Sequence, residues 1–307
     1  MYDAAFKIIR FNPKATVGSA VLVAAVAMAV PVLVTALLGA LLDLSIAGEA
    51  FSASPTEPSP VMSGEDVAGL VGVGGSLVVG TLLQGIGLVL VGGMIAHVVA
   101  AASVGRRLSL GEAWAATRGK RWRLIGLTAL LGIMTTLIVV TYVVMWVVVV
   151  AVSDGWQGPL LFGLVSVPAF LAFLLWFWVR VYYLPVPALM LEDRGIMTAV
   201  GRGFTLSSTA FWRTLGIGLL TYVIAQIAGS MLSAPISILS QGVLLGGLPG
   251  EAGLFLLIIG QALASVIAAA FVAPFTTAVA TLQYIDLRMR TEAFDVVLMQ
   301  RAGIIQS

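Results

Sequence analysis

The sequence contains no cysteine and a single histidine, His97. The first absence excludes disulfides and thiolate chemistry. The second excludes a metal site built from several histidines. Charge is scarce too: 10% of the 307 residues are Asp, Glu, Lys or Arg, against about 25% in a soluble domain. The net charge of +2 does not supply the basic face that a nucleic-acid binder needs. No HExxH zinc helix, GxSxG elbow or P-loop lysine occurs. These absences predict a protein that is not an enzyme and carries no cofactor or metal. What is abundant is apolar side chain: 60% of the residues are hydrophobic and the mean hydropathy is +1.09. A soluble fold of this length cannot bury that much, so lipid must be the solvent for much of the chain. The dominance of alanine, valine and glycine suits a GC-rich bacterial genome.

A membrane span needs about 20 apolar residues. The charge-free runs place six, at about 16–42, 78–105, 124–152, 157–179, 214–236 and 254–285. The fold class is therefore all-α, a polytopic bundle read as a single integral membrane domain over 1–307. Two runs have a surplus, glycine-rich Gly69 to Gly80 and the stretch after Pro235, which reads as tilt or as interfacial pieces. All sixteen lysines and arginines then fall on one side. The opposite loops hold only acids: Asp43, Glu49, Glu57, Glu65, Asp66, Asp154 and Glu251. Positive charge stays in the cytoplasm, so both termini are expected there, in a bacterial inner membrane. The basic start is followed by an apolar run too long for a signal peptide. Met1 leads straight into a helical pattern, which reads as a start trimmed of earlier chain. The external loop, about 43–66, is rich in Ser, Pro and Glu and predicts a flexible segment; the alternative is a docking loop.

The approaches to spans one, three and five share a pattern: a short amphipathic helix, a basic or aromatic-basic hinge, then a span. Tyr2, Ala5, Phe6 and Ile9 mark the first apolar face. Leu110, Ala113, Trp114 and Thr117 mark the second, where Ser109 and Glu112 have capping-box spacing. Ile196, Ala199, Val200 and Phe204 mark the third. This predicts three hairpin repeats with interfacial helices. Trp122-Arg123 and Trp212-Arg213, together with Arg180, Tyr182 and Tyr183, become candidate lipid-headgroup contacts. Arg180 could instead pair with Glu192. The prolines at 185 and 187 should break the helix at this interface.

Within the spans the polar residues that stand out are Gln84, His97, Thr135, Thr136, Thr141, Gln226 and Gln261. They read as helix–helix hydrogen bonds; alternatively, Gln84, Gln226 and Gln261 converge on a polar cavity. His97 reads as a hydrogen-bonding imidazole near the basic interface, or as a pH sensor. Glycines 80, 85, 87, 92, 93, 216 and 218 predict close helix packing. Pro31, Pro168, Pro235 and Pro274 predict kinks.

The repeated interfacial helices, the Arg180…Pro185…Pro187…Glu192 segment and the Tyr284-Ile285-Asp286-Leu287-Arg288-Met289-Arg290 exit resemble the membrane domain fused to bacterial glycerophosphoryl diester phosphodiesterases. YciC-type inner-membrane proteins look related. The resemblance covers essentially the whole chain and implies a six-helix bundle. It does not extend to the phosphodiesterase barrel, which this sequence lacks. The leading expectation is a non-enzymatic membrane protein that scaffolds or regulates envelope-lipid or transport machinery. The alternative is a transporter or lipid-translocating subunit with a cavity between the repeats. Membrane lipids, and another membrane or cytoplasmic protein, are the expected partners; nucleic acid is not.

Overall fold

The computed structural model describes residues 1–41, 64–153, 155–192, 195–245 and 251–292. The expectations for Asp43, Glu49, Glu57, most of the long loop, Asp154, Arg194 and Arg301 lie outside the described residues. Among the described residues there is no strand. Ten α-helices follow one another: α1 (Tyr2–Phe11), α2 (Ser19–Leu41), α3 (Gly64–Ala102), α4 (Leu110–Ala116), α5 (Arg121–Val152), α6 (Gln157–Phe177), α7 (Pro185–Glu192), α8 (Ile196–Thr209), α9 (Phe211–Leu245) and α10 (Glu251–Glu292). Two five-residue π-helical segments, Lys14–Gly18 and Trp178–Tyr182, lie at the start of the first span and the end of the fourth. Six helical stretches are long and apolar enough to cross a membrane. The chain is a multi-pass α-helical membrane protein.

Several helix ends run past the expected spans, although α3 stops at Ala102, short of the expected 105. α3 begins at Gly64, and the glycine-rich stretch from 69 to 80 lies inside it. α9 passes through Pro235 and continues to Leu245. In lipid every backbone group must be bonded within the chain. That requirement outweighs glycine's helix penalty of about 1 kcal/mol, a value that applies to water. The prolines after the fourth span act as expected, with a refinement. The chain bends at Tyr183 and Leu184, and Pro185 then opens α7, a first-turn position where proline's missing N–H costs nothing.

By their contacts the residues gather into two compact units. One comprises Met1–Ile8, Gly93–Thr221 and Thr277–Ser307; the other comprises Ile9–Gly92 and Tyr222–Thr276. In the first, Leu124, Leu127, Leu184, Leu189, Met190 and Tyr284 are fully buried. Gly93 admits Leu124 and Met190 so closely that a Cβ there would lie 2.5 Å and 3.3 Å from them. In the second, α3 lies against α2 through Gly72, Gly80 and Gly87, facing Leu38, Pro31 and Val23. Gly85, one of the glycines expected to pack, faces open space, because it sits on another side of the helix.

The three short helices α1, α4 and α8 share a buried alanine. Ala5, Ala113 and Ala199 are each 0% exposed. The large aromatics Phe6, Trp114 and Phe204 stay about two-fifths exposed. The small side chain brings each helix close, while the ring spreads sideways. The expected apolar faces are thus partly corrected: in α1, Ile8 rather than Ile9 is buried. The predicted capping box on α4 is present in full. Ser109 Oγ accepts from the Glu112 N–H at 3.3 Å, and Glu112 Oε2 accepts from the Ser109 N–H at 2.8 Å.

Candidate functional site

Two polar constellations stand out, one in each unit. The first gathers around Glu192, the last residue of α7. Its carboxylate side chain is 7% exposed. Arg202 Nε from α8 donates to both of its oxygens, at 3.1 and 3.2 Å. Arg288 Nε from α10 lies 3.2 Å from Oε1, and the Tyr284 hydroxyl donates to the same oxygen. Glu292 completes the group: Arg202 donates to its Oε1, and Arg288 Nε to its Oε2 at 3.0 Å. Two carboxylates and two guanidiniums balance in charge. Burial alone would lower the pKa of Arg202, but the Glu292 hydrogen bond and the Glu192 charge outweigh it and raise the value.

This arrangement bears on the pairing of Arg180 with Glu192. Glu192 is taken by Arg202 and Arg288, so Arg180 is not its partner. Arg180 sits in the π-helical segment with its guanidinium carbon 4.8 Å from the Phe204 ring centre and 5.6 Å from that of Phe211. Nη1 reaches the Phe204 carbonyl at 3.4 Å, and Nε is buried without a hydrogen-bond partner.

The other candidate headgroup residues separate. Trp122 and Trp212 are 82% and 80% exposed, and each is followed by an arginine. Arg213 pairs with Asp286 at 3.0 Å. Tyr182 faces outward, but Tyr183 turns in: its hydroxyl is buried and its ring lies 4.9 Å from that of Trp178. The chain leaves the π-helical segment at Tyr182 and bends at Tyr183, so the two neighbouring rings take different directions. Arg121, which sequence reading passed over, stacks 3.8 Å above Trp114 and donates to its carbonyl.

The second constellation is a cavity of about 320 Å³ in the other unit. Met28 and Pro31 come from α2, Gln84 from α3, Ser233 and Ser237 from α9, and Gln261 and Ser265 from α10. Gln84 Nε2 donates to Ser265 Oγ at 3.0 Å. None of the described lining residues is charged. Two of the three glutamines thus meet here. Gln226 does not: it is exposed and outside the lining. It shares a helical face with Ser233, seven residues on, but lies about two turns away along α9. The serines were missed, although Ser233/Ser237 and Gln261/Ser265 both have the i,i+4 spacing that stacks side chains on one face.

The remaining intramembrane residues bond less across helices than expected. Thr135 Oγ1 donates to the Leu131 carbonyl of its own helix at 2.8 Å. His97 Nε2 is buried with no hydrogen-bond partner. Among the described residues no group of His, Asp and Glu has the arrangement of a metal site.

Comparison with models of known families, with characterised proteins and with solved structures produced no match.

Proposed function

We propose that this protein binds membrane lipid within its helical bundle and moves or presents it, with the uncharged cavity as the binding site. The observation that carries the reading is the set Gln84, Ser233, Ser237, Gln261 and Ser265 opening into one space among membrane-spanning helices. Polar side chains at span depth are costly and tend to serve pathways. Amides and hydroxyls can both donate and accept, so they suit ester, glycerol or sugar oxygens. A lone ionic headgroup would find no counter-charge there. The volume lies at the lower end of ligand pockets, about 300–1,000 Å³, enough for a headgroup while the acyl chains remain in the bilayer.

In this reading the protein lies in a bacterial inner membrane, with both termini and all sixteen basic residues on the cytoplasmic side. It has no catalytic step. A second reading, a scaffold for other envelope machinery, is favoured by the neutral ion cluster around Glu192, which ties α7, α8 and α10 together.

The test is lipid movement in reconstituted vesicles. Fluorescent lipid with an uncharged sugar headgroup should become accessible to an external quencher faster with the protein than without it. Replacing both glutamines, Gln84→Leu with Gln261→Leu, should abolish the gain. Acceleration that survives this double change, or no acceleration by the parent, would remove the cavity from the function and leave the scaffold reading.

A further inference from the structure

We infer that Arg180 is a dedicated binding site for the phosphate of an anionic phospholipid headgroup. The site is separate from the cavity and does not depend on it. Arg180 lies in the π-helical segment Trp178–Tyr182, and such segments inside helices are frequent at functional sites. An arginine at the end of a span can be neutralised by a carboxylate, as Arg213 is by Asp286 and Arg202 by Glu192 and Glu292. Arg180 has a nearby carboxylate in sequence, Glu192, but the fold gives that acid to Arg202 and Arg288. What Arg180 receives instead is two ring faces, from Phe204 and Phe211, and a carbonyl contact at 3.4 Å through an exposed Nη1.

Ring faces hold a guanidinium flat and attract its charge, but they accept none of its in-plane N–H bonds. The planar fork therefore stays positioned and charged, with donors still to satisfy. A phosphate is the complementary ligand, because its oxygens take two parallel bonds from one guanidinium. The surroundings select a lipid. Trp176 packs edge-on against Phe204, and Tyr182, two residues after Arg180 in the chain, is exposed. Aromatics of this kind sit at headgroup depth.

The test uses the full-length protein in detergent, titrated with phosphatidylglycerol and with phosphatidylcholine, and retained lipid is counted by native mass spectrometry. Arg180→Gln should retain about tenfold less phosphatidylglycerol than the parent, the loss expected for a charge-assisted hydrogen bond rather than for surface charge alone. Arg180→Lys should fall between them, since an ammonium keeps the charge but loses the fork. Arg10→Gln, which removes an equal charge at an exposed position, should match the parent. Displacement by added inorganic phosphate would support the site and mark the phosphate group itself as what is recognised. Loss in Arg180→Gln without such displacement would support it and assign recognition to the lipid. Equal retention by Arg180→Gln and the parent, or an equal loss in Arg10→Gln, overturns the inference. If Arg180→Gln fails to fold, Arg180→Lys decides alone, and retention equal to the parent overturns it.

Discussion

The hydroxyl of Tyr284 donates to Oε1 of Glu192, joining the exit of the last span to the helix that follows the fourth. The two residues are 92 positions apart. The same oxygen meets Arg288 one turn along α10, and the other faces Arg202. A carboxylate this buried is stable only because three donors converge on it.

Removing the carboxylate should therefore cost more than removing any one donor. Glu192→Ala leaves two arginines sharing the single carboxylate of Glu292 and should destabilise the protein by about 3–5 kcal/mol. Tyr284→Phe removes one hydrogen bond and should cost about 1–3 kcal/mol. Unfolding in mixed micelles measures both. A double-mutant cycle of Glu192 and Arg202 should show strong coupling. Independent effects would show that the pair is not a unit.

The glycines of α3 make a paired prediction. A Cβ at position 80 would lie 2.8 Å from Pro31 Cδ, a rigid ring, whereas one at 85 meets nothing within 4 Å. Gly80→Ala should lower stability by about 1–3 kcal/mol through overpacking. Gly85→Ala should be neutral or slightly favourable. Equal thermal midpoints for the two variants would contradict this packing.

The start of α4 should respond to acid. The Ser109 backbone N–H and hydroxyl hold the Glu112 carboxyl below its ordinary pKa. A carboxyl with a depressed folded pKa stabilises above its unfolded value, and that support is lost as pH falls through the folded value. The protection of the α4 amides, measured against their intrinsic exchange rates at each pH, should therefore fall on acidification below the usual glutamate range. In Glu112→Gln this pH dependence should vanish. A variant that kept the parent's profile would assign the effect to another group.

Orientation is open to direct measurement. Reporters placed after Arg107, Arg194 and Arg301 should read as cytoplasmic, and those at Glu57, Asp154 and Glu251 as external. A cytoplasmic signal at Asp154 would break the six-span order.

The spans and the capping box were legible in the sequence because they depend on local properties: apolar run length, and a hydroxyl three residues before a glutamate. The cavity was half legible. Gln84 and Gln261 stood out as amides in apolar helices, but the serines looked like ordinary span residues, and Gln226 has the right face at the wrong depth. Depth along a helix is set by how neighbours slide against one another, which no single helix records. The Glu192 cluster was hidden for a related reason. Nearness in sequence pointed to Arg180, whereas partners from α8 and α10 arrive through tertiary packing. Only the i,i+4 pair Arg288 and Glu292 was visible locally.

The Glu192 cluster also bears on biosynthesis. Chains emerge N-terminus first, so Glu192 and Arg202 are made long before Tyr284, Arg288 and Glu292. Until the final helix arrives, an acid destined for burial has one of its two arginines and no tyrosine. A polypeptide truncated ahead of Tyr284 would keep its first five spans yet present that half-neutralised patch to quality-control proteases. With α10 the newborn protein gains the donors that close this cluster.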